Sequence, residues 1–236
     1  MLQAALNGRR SKRDHEGVPV TAAELQRDAI ECAAEGAHGF HVHPRDELGV
    51  ERMDAAVVDA AATALHDATR WPVSVSTADW IEVDLRARQA AVARWRGPDS
   101  ATVEVKEEDS FDLIRTLLGL GIEVEAGLQD AEDAAALVRS GLGDRVHRLL
   151  IELVHVPAAE VVDRAAEVHR VLDHADLLPP RLQHGEDDSA WIALEDAVRR
   201  GVDTRIGLED ALLLPDGSRA ASNAALIRAA VSLGAA

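Results

Sequence analysis

Read from its first residue, the chain alternates between two kinds of segment and keeps alternating to the end. Short apolar runs rich in β-branched residues give way to longer Ala- and Leu-rich stretches with apolar residues three and four apart. The short runs predict strands over 3–6, 38–43, 72–76, 101–105, 122–126, 148–154, 180–183 and 203–206. The longer stretches predict helices over 21–35, 53–68, 82–95, 109–118, 129–140, 157–173, 187–200 and 222–233. Local signals agree with these bounds. Thr21 is followed three residues later by Glu24, the spacing of a capping box. Asp187 and Ser222 stand where a side-chain oxygen can accept from a free backbone N–H at a helix start. Gly36, Gly141 and Gly201 follow helix ends, where a left-handed residue is favoured. A strand, a helix and a strand in strict succession require parallel pairing. Eight such units predict a closed (β/α)8 TIM barrel, one domain over residues 1–236, with a doubly wound open sheet as the alternative. No Gly-rich dinucleotide fingerprint or phosphate-binding P-loop is present.

Composition narrows the partners. Lys and Arg total 25 against 42 Asp and Glu, a formal charge of −17, which opposes binding to a phosphate backbone. The single cysteine, Cys32, excludes a disulfide framework and a thiolate zinc site. No apolar run approaches the ~18 residues of a membrane span. The early residues turn basic with no apolar segment behind them, so no signal peptide is expected. The expectation is a cytoplasmic protein that binds neither nucleic acid nor membrane.

A βα barrel builds its chemistry at the C-terminal ends of its strands. The second predicted strand ends in His41-Val-His43, and alternate residues of a strand share a face, so both imidazoles point one way. Such a pair suits a divalent transition metal. Its alternative is a hydrogen-bonded polar pair. Polar residues recur at the other strand ends: Ser74, Ser76 and Thr77; Thr102 and Glu104; Glu123 and Glu125; Gln183 and His184; and Arg205 with Glu209 and Asp210. Charged groups in a barrel must be paired or metal-bound, because a lone carboxylate is costly to desolvate. Their convergence reads as a site.

Three stretches then fix a family resemblance: Val18–Thr21, the run Phe40–Asp46 (Phe-His-Val-His-Pro-Arg-Asp), and the run Arg205–Asp210 (Arg-Ile-Gly-Leu-Glu-Asp), followed by Leu214–Gly217 and Ser222-Asn223. In this order they resemble the β-keto acid cleavage enzyme family. The resemblance implies a zinc-binding TIM barrel that exchanges acyl groups between a β-keto acid and acetyl-CoA, giving acetoacetate and a new acyl-CoA. It implies that His41, His43 and Glu209 hold the metal, leaving a position open as catalytic zinc sites do. It implies that Arg205 binds the substrate carboxylate and that Asp210 assists it and takes part in proton transfer. Glu125 falls where the family carries an acidic residue, either a general base or a carboxylate that orients an imidazole, with Glu123 competing for the role. Ser76 and Thr77 match a hydroxyl-bearing stretch that binds substrate or simply caps a strand. His184 is a further substrate contact or a surface residue. Asp46 either orients a ligand histidine or pairs with Arg45.

Two departures bear on specificity. Glu104 stands where the family presents a small polar residue; it would pair with a cationic substrate group or with Lys106. Arg9, Arg10, Lys12 and Arg13 put four positive charges within five residues, a place for the phosphates of CoA or a solvated loop. A metal-dependent hydrolase or aldolase that does not use CoA is the competing reading, and a binding barrel without turnover is a third. With about 29 residues per βα unit, little is left for lids, so an open mouth or a homo-oligomeric partner that completes it is expected.

Overall fold

The computed structural model describes residues 1–236. Eight parallel strands, β1 (Leu2–Ala5), β2 (Phe40–Val42), β3 (Val73–Ser76), β4 (Ser100–Glu104), β5 (Glu123–Leu128), β6 (Arg148–Leu153), β7 (Arg181–Gly185) and β8 (Asp203–Ile206), pair in sequence order. β8 closes on β1 through Leu2↔Thr204, Gln3↔Arg205 and Ala4↔Ile206, so the sheet has no edge. The helices α1 (Ala22–Ala34), α2 (Ala55–Ala68), α3 (Leu85–Val92), α4 (Ser110–Leu120), α5 (Ala131–Ser140), α6 (Val161–His174), α7 (Ala190–Arg200) and α8 (Asn223–Ser232) follow the strands one by one. This is the (β/α)8 barrel, and the open-sheet alternative falls.

The alternation of strand side chains sorts the chain into two environments. One face, carrying Phe40, Val42, Val73, Val75, Ala101, Val103, Val124, Ala126, Leu149, Ile151 and Leu153, packs against apolar helix residues such as Leu25, Leu65, Leu113, Leu137, Val168 and Leu226. The hydrophobic core therefore lies between the strands and the helices. The face turned into the barrel carries Gln3, His41, Ser74, Ser76, Ser100, Thr102, Glu104, Glu125, Arg148, Glu152, His184 and Arg205. Barrel interiors are usually filled by bulky branched apolar side chains. A polar interior has to be hydrogen-bonded throughout to be tolerated, and it is the fold's main concession to chemistry.

Every predicted element is present, with shifts at the ends that have local causes. β2 is confined to 40–42 where 38–43 was expected: His38 already donates to Leu2 O below the strand, and Pro44 has no N–H to continue it. β5 and β7 run two residues further than expected, to Leu128 and Gly185, because Gly127 and Gly185 read as punctuation but pair with Glu104 and Leu153. Thr21 and Glu24 form the capping box, and Ser222 accepts from Ala225 N. Asp187 is no helix cap. Glu186 and Ser189 close that turn instead, and Asp187 is drawn to Arg10 at 2.6 Å.

Candidate metal centre and active-site cavity

The strand ends enclose a cavity of about 450 Å3 lined by 22 residues, only three of them hydrophobic. The first loop and the end of β2 build one side of it. Asn7, fully buried, accepts from His43 N at 2.8 Å and donates to His43 O at 3.1 Å, which fixes the backbone beyond β2. Asn223 at the start of α8 does the same for the segment after β8, accepting from Leu208 N at 2.7 Å and donating to Leu6 O at 3.0 Å. Glu209 is thereby turned inward. Gly8 makes room for it: the backbone there has φ +53°, and a Cβ would lie 2.3 Å from Glu209 Cγ.

His41, His43 and Glu209 converge in this corner. Their ligand atoms lie within 4.8 Å of one another, with Glu209 Oε1 at 3.7 Å from His41 Nε2 and 3.9 Å from His43 Nε2. The far nitrogens are already held. His43 Nδ1 is 2.5 Å from Glu51 Oε1, and His41 Nδ1 is 3.4 Å from Ser74 Oγ and 3.5 Å from Thr102 Oγ1. That leaves both Nε2 atoms facing inward, the arrangement in which an outer partner sets the tautomer of a ligand imidazole. Burial first, and then the charges of Arg205 and His43, hold the His41 pKa well below the usual value, so the ring stays neutral and able to ligate. Glu209 Oε2 is buried with no hydrogen-bond partner. Two inward imidazole nitrogens beside a buried carboxylate, one oxygen of which has no partner, fit a divalent metal, and these three residues can hold one. Trp80 stacks on His43 at 6.2 Å between ring centres, and Arg9 lies 4.8 Å from the Trp80 ring.

The strand after this corner carries Arg205. Its Nη2 donates to Glu209 Oε1 at 2.8 Å and to Asp210 Oδ1 at 3.0 Å. Burial works against its charge, but Asp210 and Glu209 raise its pKa further still. Asp210 is fully buried behind Arg205 rather than in the cavity wall, and its Oδ2 has no partner. His184, on β7, does line the cavity and is 1% exposed, which excludes the surface alternative.

Across the cavity, Glu104 is seated by Gly127 on β5, its register partner. A Cβ on Gly127 would come within 2.6 Å of Glu104 Oε1. Lys106 does not pair with Glu104 directly. It donates to Gln129 Oε1 at 2.7 Å, and Gln129 Nε2 reaches Glu104 Oε2 at 3.4 Å. Burial, and then Glu152 beside it, push Glu104 well above the usual carboxylate range. Burial, the largest influence, would raise Glu152, but its bonds to His184 and Glu104 and the charges of His184 and Arg205 together bring it down to about 2.

Of the other expected site residues, Ser76 lines the cavity, with its Oγ accepting from Ala78 N at 3.2 Å. Thr77 does not. It is buried on the opposite side of the strand, its hydroxyl donating to Thr102 O at 2.7 Å, which is the strand-cap arrangement. Glu125 is buried deep in the barrel and is absent from the cavity wall. It accepts from Arg148 Nη1 at 2.7 Å, Ser74 Oγ at 2.5 Å, Thr102 Oγ1 at 3.3 Å and Gln3 Nε2 at 3.3 Å. Burial raises its pKa, but Arg148 and Ser74 bring the net value below the usual one. Glu123 is exposed at the foot of β5 beside His147, 3.0 Å away, and cannot compete with it. Asp46 does not touch a ligand histidine; it bonds Arg52 at 2.8 Å and the backbone of Leu48 and Val50. In the basic loop, Arg10 is held by Asp187 and Glu209 O, and Lys12 by Glu24, so this is a braced rim rather than a free cationic patch. Sequence reasoning missed Glu51, Trp80, Glu152 and Glu186. Only Glu152 carried a visible signal, a carboxylate alternating with Arg148 and Leu150 in an otherwise apolar strand.

The sequence model of the beta-keto acid cleavage enzyme family matches residues 1–236. A search of curated proteins finds no match. Among solved structures, apo ObcA superposes with a TM-score of 0.73 at 14% identity, over 92% of this chain and 61% of that one. A ternary complex of ObcA with a C4-CoA adduct and oxalate gives 0.71 at 15% identity, over 92% and 63%. The 3-dehydroquinate dehydratase of Geobacillus kaustophilus HTA426 gives 0.63 at 12% identity, over 100% and 92%. At these identities the likeness is one of fold, and the chain spans under two thirds of ObcA's length.

Proposed function

The chain belongs to the beta-keto acid cleavage enzyme family, and from that premise we propose that it is a zinc-dependent acyl exchange enzyme acting on a β-keto acid and acetyl-CoA. The bond between the ketone carbon and the carboxymethyl carbon of the keto acid breaks. The carboxymethyl carbon takes the acetyl group, giving acetoacetate, and the CoA sulfur takes the remaining acyl group. The observation that carries this reading is the convergence of His41, His43 and Glu209 on one corner of a cavity that also holds Arg205. The solved complexes of ObcA, a structural neighbour, contain oxaloacetate, or a C4-CoA adduct with oxalate, ligands of the chemical kind proposed here.

His41, His43 and Glu209 would hold the metal, which when bound supplies Lewis-acid polarisation of the substrate ketone. Arg205 keeps a full charge in the wall and pairs with the substrate carboxylate, its planar fork suiting that group. Asp210 braces Arg205 from behind the cavity wall and takes part in proton transfer. Ser76 and Glu104 contact substrate from the β3 and β4 side. Glu125 acts from below: through the Ser74 and Thr102 hydroxyls it orients His41, and it does not itself meet substrate. Arg9 and Arg10 at the rim lie where a polyanionic cosubstrate would enter.

The test is to supply acetyl-CoA with a panel of β-keto acids and follow acetoacetate and acyl-CoA by mass. Acetoacetate and a new acyl-CoA in equal amounts, abolished in His41→Ala and Glu209→Ala, are expected. Turnover of a keto acid without CoA would replace this reading by a hydrolase or aldolase.

A further inference from the structure

Glu152 has no role in the scheme above, yet it is buried in the far wall beside His184. It stands on β6, turned inward with Arg148 and Leu150, and is 5% exposed. Its Oε1 lies 3.5 Å from His184 Nε2, while the other ring nitrogen, Nδ1, lies 3.4 Å from Asp210 Oδ1. A neutral imidazole has one donor and one acceptor nitrogen. Placed between two carboxylates, a neutral ring would turn a lone pair toward an anionic oxygen. Only the doubly protonated ring satisfies both sides. His184, Glu152 and Asp210 are all buried, so water screens little of this interaction.

The other charged groups around the ring are Arg205 from β8 and Glu186 at the end of β7, with Glu104 from β4 beyond Glu152. Burial and Arg205 work against a charged ring, but Asp210 and Glu152 carry the His184 pKa up to about 9. Both ring nitrogens face carboxylates: Nε2 is within hydrogen-bond reach of Glu152, and Nδ1 is in ion-pair range of Asp210 Oδ1 without a formed hydrogen bond. Asp210 Oδ1 also accepts from Arg205 Nη2, and Oδ2 has no partner.

We propose that Glu152 is a positioning residue that keeps His184 a doubly protonated imidazolium, held between Glu152 and Asp210. The pairing of Glu152 with His184 stands apart from the function proposed above; only the kcat readout below rests on it.

The experiment is nitrogen NMR of the histidine rings in the metal-loaded protein, with His184 assigned by its loss in His184→Gln. At pH 7.5 both His184 nitrogens should resonate as a protonated pair, with a titration midpoint well above that of a free histidine. In Glu152→Gln the midpoint should fall by about one unit or more, and the alkaline limb of the kcat profile should move the same way while KM changes little. A neutral His184 tautomer in the unmodified protein overturns the proposal without any variant having to fold. So does a Glu152→Gln protein whose His184 midpoint is unchanged. An absence of acyl exchange with the expected ring titration would count against the proposed reaction and leave the pairing standing.

Discussion

Glu51 offers the sharpest test of how the metal corner is built. Its Oε1 sits 2.5 Å from His43 Nδ1, with the side chain 19% exposed. The carboxylate holds the ring so that Nε2 faces Glu209, and it makes the ring a better ligand. Charge-assisted hydrogen bonds of this kind are worth roughly 1.5–3 kcal/mol, and outer partners of ligand histidines typically contribute about 10–100-fold in metal affinity. Both lines lead to the same expectation. Glu51→Ala should weaken zinc binding by about 10–100-fold, roughly 1.4–2.7 kcal/mol. Glu51→Gln, which keeps an acceptor but loses the charge, should fall between. Asp46→Asn, five residues earlier on the same loop, should leave affinity unchanged, because Asp46 bonds only Arg52 and loop backbone. The assay is competition with a chromophoric chelator, with melting curves to show that each variant is folded. Equal zinc affinity in folded Glu51→Ala and unmodified protein would refute the reasoning.

Three further predictions follow from the same geometry. Gly8→Ala places a Cβ 2.3 Å from Glu209 Cγ at a backbone φ of +53°, so it should abolish stoichiometric metal binding, measured by elemental analysis, while far-UV circular dichroism is retained; full metal occupancy would contradict it. Glu125→Ala strands Arg148 in the barrel without its 2.7 Å partner. Urea unfolding should show a loss of about 3–5 kcal/mol, the usual cost of breaking a buried pair, and a loss under 1 kcal/mol would show that the pair is not structural. His184 has a folded pKa raised from 6.5 to about 9, so its contribution is fully present below about pH 6.5 and is lost as pH rises through about 9. Unfolding free energy should therefore fall by about 3 kcal/mol across that window in the unmodified protein and not in His184→Gln; parallel declines in the two would exclude it.

The fold was open to reading because a βα barrel writes its period into the chain: each strand that must face helices on its outer side shows β-branched residues at alternate positions, as in Val73 and Val75 or Val124 and Ala126. The same alternation placed His41 and His43 on one face. It also implied that Thr77, next to inward Ser76, turns outward, a consequence the family match obscured. Alternation fixes a face but not a height. Glu125 and Glu104 both point inward, yet one lies among Arg148 and Gln3 toward the strand starts and the other in the cavity wall. That difference comes from the stagger between neighbouring strands, which no single strand records. Glu51 was invisible for another reason. It reaches His43 because residues 45 and 51 form an isolated antiparallel bridge within a loop, and such a loop has no period to read. Glu152 is the instructive omission, since a carboxylate in the midst of Leu149–Leu153 is costly to bury without a partner and so announces one.

The account stands on a single metal at the ends of β2 and β8. Anomalous diffraction at the zinc absorption edge, from crystals of protein purified without chelator, tests it most directly. One peak is expected, bounded by His41 Nε2, His43 Nε2 and a Glu209 carboxylate oxygen at about 2.0–2.2 Å each. Crystals from zinc-supplemented protein with no peak between these three side chains would contradict it.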